Sequence, residues 1–180
     1  MYVIAIKNRQ SEFAAMKILQ EKGLLRSDMI PLVEVIQEKL TYDEKIDPFT
    51  GEIVREEKIC KGGRIIHRAI KDMSSPHDVT LEKVVQLFPN RPVLVDYFRC
   101  DLNRYRYKPD KIPLVIQLNR DLGLYKTKVL GIAAYPNLIP VITVKRDIDA
   151  LKPGEVVALA GQLRADNPAQ RIAIRIDDLE

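Results

Sequence analysis

Five short apolar runs constrain the fold of this chain more than any other feature of its sequence. They are rich in β-branched residues, and charged residues lie in or just beyond their last positions: residues 2–6, 29–36, 92–98, 138–144 and 171–176. Nearly continuous apolar strands are typical of a parallel sheet covered by helices. The sequence therefore predicts an α/β fold, with a mostly parallel sheet and alternating helices.

Segments with helical spacing of apolar residues follow or separate these runs. Ser11 is a suitable N-cap for the first of them, Gly123 a break between two others, and Pro153 a first helical residue. The predicted helices cover residues 11–22, 79–88, 112–122, 126–134 and 153–164.

The pattern lapses between the second and third runs, at about residues 37–75. Turn signals occur at residues 47–51 and at Gly62-Gly63. We therefore expect a hairpin excursion around residues 40–70, as a lid or a partner-binding arm, within a single α/β domain of residues 1–180. The sheet is either an open doubly wound one or a barrel.

Composition excludes several classes of protein. No apolar run approaches the ~20 residues that span a bilayer, and the N-terminus lacks the pattern of a secretory signal. Two cysteines, Cys60 and Cys100, are too few for a disulfide scaffold, so we expect a cytoplasmic protein with reduced thiols and no membrane association. A net charge of +4 tolerates an anionic partner without requiring nucleic acid.

The strand ends gather charged side chains at one edge of the predicted sheet, because right-handed crossovers place those ends together. Ligands bind at that edge in such folds. Glu34 and Asp96 lie inside apolar runs, so an ionised carboxylate there must be paired or used. They are the candidate catalytic acid/base groups, or oxygen ligands for a divalent metal. The candidate anion-binding cations are Lys7, Arg9, Arg99, Lys145 and Arg175, with Asp177 beside the last. The alternative is that these side chains are polar only because strands end in solvent.

A second candidate site follows the third run, where basic and aromatic residues alternate. Such interleaving suits a nucleic-acid contact, and a solvated loop is the alternative. The residues are Arg104, Tyr105, Arg106, Tyr107 and Lys108. His67 and His77 lack the spacing of a zinc site, and no phosphate-binding glycine motif or nucleophile elbow occurs.

Four motifs in order give the chain a resemblance to the phage and bacterial beta-protein family. They are K-x-R-Q-x-E-F at residues 7–13, I-P-L-V-E at 30–34, R-P-V-L-V-D at 91–96 and I-P-V-I at 139–142. The resemblance covers nearly the whole chain. It implies a barrel-like fold and an association with phage, mobile or defence loci, and it brings no established mechanism. The matching positions expected to matter are Lys7, Arg9, Gln10, Glu12, Glu34 and Asp96.

Members of that family are nearly twice as long, and eight strands close an ordinary parallel barrel. The resemblance therefore implies an incomplete TIM-barrel-like fold of five strands that corresponds to their N-terminal half. We expect either a fragment of a longer barrel or an open sheet whose edge is covered by the excursion, a partner chain or a second copy. Of these, we favour an incomplete barrel that self-associates as a homo-oligomer.

Two functions remain open at this point. The first is a phage-conflict protein that binds a phosphorylated ligand or nucleic acid at the strand ends, with metal-assisted hydrolysis. The second is a non-catalytic interaction or self-assembling module, with residues 42–58 as its arm.

Overall fold

A computed structural model describes residues 2–102, 108–144, 151–165 and 167–176. The chain divides into two compact units, one formed by Met1–Glu38 with Leu81–Glu180 and the other by Lys39–Thr80. The second unit falls on the segment predicted as an arm. We call the first unit the half-barrel and the second the arm.

The half-barrel alternates strands and helices along the chain. Its strands are β1 (Tyr2–Lys7), β2 (Met29–Val35), β7 (Val93–Tyr97), β8 (Leu138–Val144) and β9 (Ala173–Ile176). Its helices are α1 (Gln10–Glu21), α2 (Thr80–Leu87), α3 (Pro113–Arg120), α4 (Leu122–Gly131) and α5 (Pro153–Ala165). Short 3-10 turns occupy Pro109–Lys111 and Ile132–Ala134.

The five strands form one parallel sheet in the order β1-β2-β7-β8-β9, so each new strand is added on the same side. The sheet curls into half of a barrel. The prediction of an incomplete, barrel-like α/β fold is therefore confirmed. Because every crossover runs in the same direction, right-handed connections put the helices on one face of the sheet.

The main core lies between that face of the sheet and the helices. Alternate strand residues such as Val33, Val95 and Ile142 are fully buried there. The helices contribute further buried side chains: Met16, Val84, Leu118, Val129 and Leu159. Burying each such side chain contributes about 1.5–3 kcal/mol, and this contact fixes which face of each strand packs against the helices. A smaller cluster of Ile36, Phe98, Cys100, Ile112 and Val115 closes the carboxyl-terminal end of β2 and β7.

Two predicted helix boundaries are wrong by a few residues. The first helix begins at Gln10 with Arg9 at the N-cap, so Ser11 lies inside the first turn. The break between α3 and α4 falls at Asp121, whose side chain accepts a hydrogen bond from the Leu124 N–H. A capping carboxylate is the stronger signal here, because it satisfies a donor that the helix start leaves open.

Arg91, just before β7, fastens the connection between α1 and β2. Its guanidinium donates to the backbone carbonyls of Leu25, Arg26 and Met29 at 3.1, 2.8 and 3.1 Å. The planar fork of arginine suits several acceptors at once. These bonds join the start of one strand to the entry of its neighbour.

The arm consists of two-stranded antiparallel ribbons. Strand β3 (Leu40–Glu44) pairs with β6 (Lys71–Asp78), and β4 (Arg55–Ile59) pairs with β5 (Ile65–Ala69). Ile46 and Ile53 form an isolated antiparallel bridge in a second hairpin, between β3 and β4. The arm therefore holds hairpins within the predicted excursion, more of them than the single one expected.

The three ribbons of the arm meet at a ring of backbone hydrogen bonds. The N–H of Lys45 donates to the Ile70 carbonyl, that of Ile70 to Val54, and that of Val54 to Lys45, at 2.8–2.9 Å. Residues 39–80 are all described, and of these only Thr80 is buried. Hydrogen bonds rather than an apolar core therefore hold this unit together.

Across the described part of the chain, none of the helices combines the length and the apolar character needed to cross a membrane.

Candidate functional site

Three neighbouring strands place charged residues at one level of the sheet. Lys7 on β1 is in register with Glu34 on β2, and Glu34 is in register with Asp96 on β7. Partners in register point to the same face of a sheet. Val33 and Val95, one residue earlier, face the helices, so the three charged side chains lie on the concave face.

Arg175 on β9 joins the two carboxylates. Its Nη1 donates to Glu34 Oε1 at 2.7 Å and to Asp96 Oδ2 at 2.9 Å. Lys7 Nζ lies 3.3 Å from the other oxygen of Glu34. The ion pairs therefore form a chain from Lys7 to Glu34 to Arg175 to Asp96, in which cations and carboxylates alternate. The side chains of Lys7 and Arg175 are each 27% exposed, whereas those of Glu34 and Asp96 are 8% and 0% exposed.

Asp96 is the most deeply buried member of this cluster. Burial raises the pKa of its carboxyl to about 6, and the neighbouring charge of Glu34 adds to the rise. The Thr143 hydroxyl, which donates to Oδ1 at 2.8 Å, and Arg175 both lower it. Desolvation of the charged form outweighs these partners. Asp96 thus exchanges its proton close to neutral pH.

Aromatic side chains line the cluster. The Tyr125 hydroxyl accepts a hydrogen bond from the Thr143 N–H at 3.0 Å, and the guanidinium carbon of buried Arg99 lies 5.1 Å from the Tyr125 ring. Burial, and then the charge of Asp96, raise the pKa of Tyr125. Lys7 Nζ and the Arg175 guanidinium each lie 5.9 Å from the Phe98 ring. Aromatic faces therefore help to hold the three cations.

Asn8 secures the carboxyl-terminal ends of β1 and β2. It is fully buried, its Oδ1 accepts from the Ile36 N–H at 3.0 Å, and its Nδ2 donates to the Gln37 carbonyl. Its own N–H donates to the Glu34 carbonyl at 3.1 Å. These bonds position the backbone from which Lys7 and Glu34 project.

The predicted site residues fall into three groups. Lys7, Glu34, Asp96 and Arg175 converge, and Arg99 packs against Tyr125 of the same cluster. Arg9 and Gln10 are exposed at the start of α1, Glu12 accepts a hydrogen bond from the Lys7 N–H, and Lys108 is exposed. Arg104, Tyr105, Arg106, Tyr107, Lys145 and Asp177 lie outside the described residues.

Sequence reasoning missed Asn8, Tyr125 and Thr143. Thr143 carried a usable signal, because it is a polar residue inside an apolar run, as Glu34 and Asp96 are. Tyr125 gave none, since an aromatic residue in a helix is ordinarily part of the core. Asn8 follows a strand, where polar residues are common and seldom buried.

The carboxylates are arranged around a protein cation rather than as a metal cage. Over residues 2–102, 108–144, 151–165 and 167–176, no three or more His, Cys, Asp or Glu side chains form a group that could hold a metal ion. Arg175 Nη1 donates to both carboxylates, so one oxygen of each is engaged by a protein cation. The donor set therefore favours an arginine bridge over Mg²⁺ at this position.

No protein-family model, curated protein or solved structure matches this chain. The resemblance to the phage and bacterial beta-protein family stays a prediction.

Proposed function

We propose that the half-barrel binds a small phosphorylated molecule at the carboxyl-terminal edge of its sheet, and that Asp96 exchanges a proton with it. The observation that carries this proposal is the Asp96 carboxyl, which is fully buried, has a pKa of about 6 and lies 2.9 Å from a partly exposed arginine. A group that titrates near neutrality is suited to general acid/base chemistry.

The charge of the cluster supports an anionic ligand. Lys7 and Arg175, the partly exposed cations of the cluster, balance the charges of Glu34 and ionised Asp96. Protonation of Asp96 raises the net charge of these four side chains from 0 to +1, and buried Arg99 adds a positive charge beside Tyr125. Arginine and lysine side chains are the usual partners of phosphate groups. Ligands of parallel α/β sheets bind at the carboxyl-terminal edge of the strands, where this cluster lies.

The experiment is a titration with inorganic phosphate, followed by ³¹P NMR line broadening at pH 6.5. Lys7→Gln should weaken phosphate binding about tenfold, because a direct charge contact is lost. Lys17→Gln is the matched control, since it removes the same charge from an exposed side chain on α1. Equal phosphate binding by the wild type and both variants would contradict the proposal.

Metal-assisted hydrolysis predicts a different result. If Mg²⁺ or Mn²⁺ bound at Glu34 and Asp96, Glu34→Gln or Asp96→Asn would abolish a calorimetric binding signal. We propose anion binding without that metal, because Arg175 already bridges the carboxylates. A metal signal that both variants remove would replace our proposal with the metal-dependent one.

A second candidate function, self-association, rests on where the half-barrel exposes large apolar side chains. All seven of those among its described residues belong to the first or last strand-helix unit: Tyr2, Val3, Ile18, Leu24, Val157, Ile174 and Ile176. Among the described residues, β1 and β9 are also the strands at the two ends of the sheet. Apolar side chains beside an open strand edge favour pairing with another chain.

Sedimentation equilibrium tests this candidate. Ile174→Glu should lower the average mass if β9 pairs with a second copy. Met73→Glu is the control, because Met73 is similarly exposed but belongs to the arm. A wild-type chain that stays monomeric at 100 μM, a concentration on the order of weak homodimer affinities, would contradict self-association.

A further inference from the structure

The β4–β5 hairpin of the arm carries an uneven charge distribution. From Lys58 to Lys71 there are five cations and no Asp or Glu: Lys58, Lys61, Arg64, Arg68 and Lys71. From Asp43 to Glu57 there are six acidic residues and two basic ones. We call residues 55–69 the basic ribbon. The arm is neutral as a whole, so this segregation is what distinguishes the hairpin from an ordinary mixed surface.

Strand register assigns the charges of the basic ribbon to faces. Glu56 pairs with Arg68 and Lys58 with Ile66, so these four lie on one face. The Cys60 N–H donates to the Arg64 carbonyl at 2.8 Å, which continues the ladder towards the turn. This face therefore presents Lys58, Arg64 and Arg68 against a single carboxylate.

The opposite face of the basic ribbon ends in an apolar pair. Ile59 and Ile65 are directly opposite each other, and their exposed fractions are 72% and 55%. Glu57 and His67 form the next pair along. Exposure of two adjacent isoleucines to water near a hairpin tip is unfavourable.

A tight turn joins the two strands at the tip of the basic ribbon. Gly62 and Gly63 have φ angles of 97° and 78°, which glycine adopts without strain, and the Gly63 N–H donates to the Cys60 carbonyl at 3.0 Å. Lys61 and Arg64 flank the two glycines. The turn thus leaves a narrow tip with a cation on each side.

We propose that the basic ribbon is a binding element for duplex DNA and enters its major groove. A two-stranded ribbon fits that groove, which is about 12 Å wide, and five residues per strand reach about 17 Å along it. Lys58, Lys61, Arg64 and Arg68 contact phosphates, which carry most of the affinity. The cationic face lies towards the DNA, and Ile59 and Ile65 lie on the opposite face of the ribbon, away from the bases. This inference concerns the arm alone and is independent of the proposed half-barrel site.

The test is fluorescence anisotropy of the intact chain with a 20-bp DNA duplex over a series of salt concentrations. The variant Lys58→Gln/Lys61→Gln/Arg64→Gln should bind at least about tenfold more weakly at low salt. Each lost phosphate contact lowers the slope of log K against log salt by about 0.9, so this slope should fall by about 2–3. Far-UV circular dichroism of each variant checks that the strands are retained.

The matched control is Lys17→Gln/Lys22→Gln/Lys83→Gln, which removes the same charge from exposed helical or helix-end positions. It should keep the wild-type slope. A wild-type chain that does not bind the duplex at low salt, or equal losses in the two triple variants, would overturn the proposal. So would tighter binding to the single strand of the same sequence, or to polyglutamate, because either result would assign the ribbon to another class of partner.

Discussion

Arg175 Nη1 lies 2.9 Å from Asp96 Oδ2, although the two residues are 79 positions apart in the chain and on strands that do not pair with each other. The intervening strand β8 contributes Thr143, which binds the other oxygen of the same carboxylate. A buried carboxylate thus has a cation on one side and a neutral donor on the other. Desolvation raises the pKa of Asp96, and these two partners lower it.

Asp96 should make the stability of the chain depend on pH. Its folded pKa of about 6 lies above the ordinary value of 3.8, so between these values the folded state holds a proton that the unfolded state has released. The free energy of unfolding therefore falls as the pH rises from about 4 to about 7, by about 3 kcal/mol. Asp96→Asn should lack this component. Urea denaturation at pH 4.5, 6 and 7.5 measures it, and a wild-type-to-variant difference that does not change with pH would contradict the assignment.

Removal of Arg175 should destabilise the half-barrel because it leaves Glu34 and Asp96 without their shared donor. We expect Arg175→Met to lower the free energy of unfolding by about 3 kcal/mol at pH 7.5. The double variant Arg175→Met/Glu34→Gln should recover part of that loss, since one unpaired charge is also gone. Chemical denaturation of the wild type, Arg175→Met, Glu34→Gln and the double variant forms the cycle. Strictly additive losses would show that Arg175 and Glu34 are not coupled.

Asn8 should contribute strongly to the stability of the half-barrel although it carries no charge. Asn8→Ala leaves the Ile36 N–H and the Gln37 carbonyl without their side-chain partner, which should lower the free energy of unfolding by about 2–4 kcal/mol. Asn90→Ala, at an exposed position, should change it by less than about 0.5 kcal/mol. Thermal melts of both variants compare them directly, and similar melting temperatures would refute this role.

Arg91 should not tolerate lysine. An ammonium group cannot reproduce the fork that binds three carbonyls, so Arg91→Lys should lower the free energy of unfolding by about 2 kcal/mol. Arg120→Lys, an exposed change at the end of α3, is the control and should be nearly neutral. Hydrogen exchange at the Tyr2 and Met29 amides should also quicken in Arg91→Lys. Unchanged protection of these two amides would mean that the Arg91 hydrogen bonds do not stabilise this connection.

Much of the candidate site followed from the sequence because it depends on strand polarity. Parallel strands put their carboxyl ends together, and charges inside apolar runs at Glu34 and Asp96 required partners. Arg175 and Lys7 were expected at the same edge for that reason. Tyr125 and Asn8 could not be predicted, since their roles come from hydrogen bonds to backbone groups far away in the chain. Their side chains give no local pattern.

The sequence by itself determined the alternation of strands and helices, the parallel sheet and the excursion at about residues 37–75. These features depend on hydrophobic periodicity and turn residues, which are local. Only the tertiary structure decided that the strands follow one another in chain order and that Glu34 and Asp96 face the same side. Register fixes that face, since a slip of one residue would reverse it. Packing of Val33 and Val95 against the helices selects the register, and so turns two carboxylates in separate strands into one site.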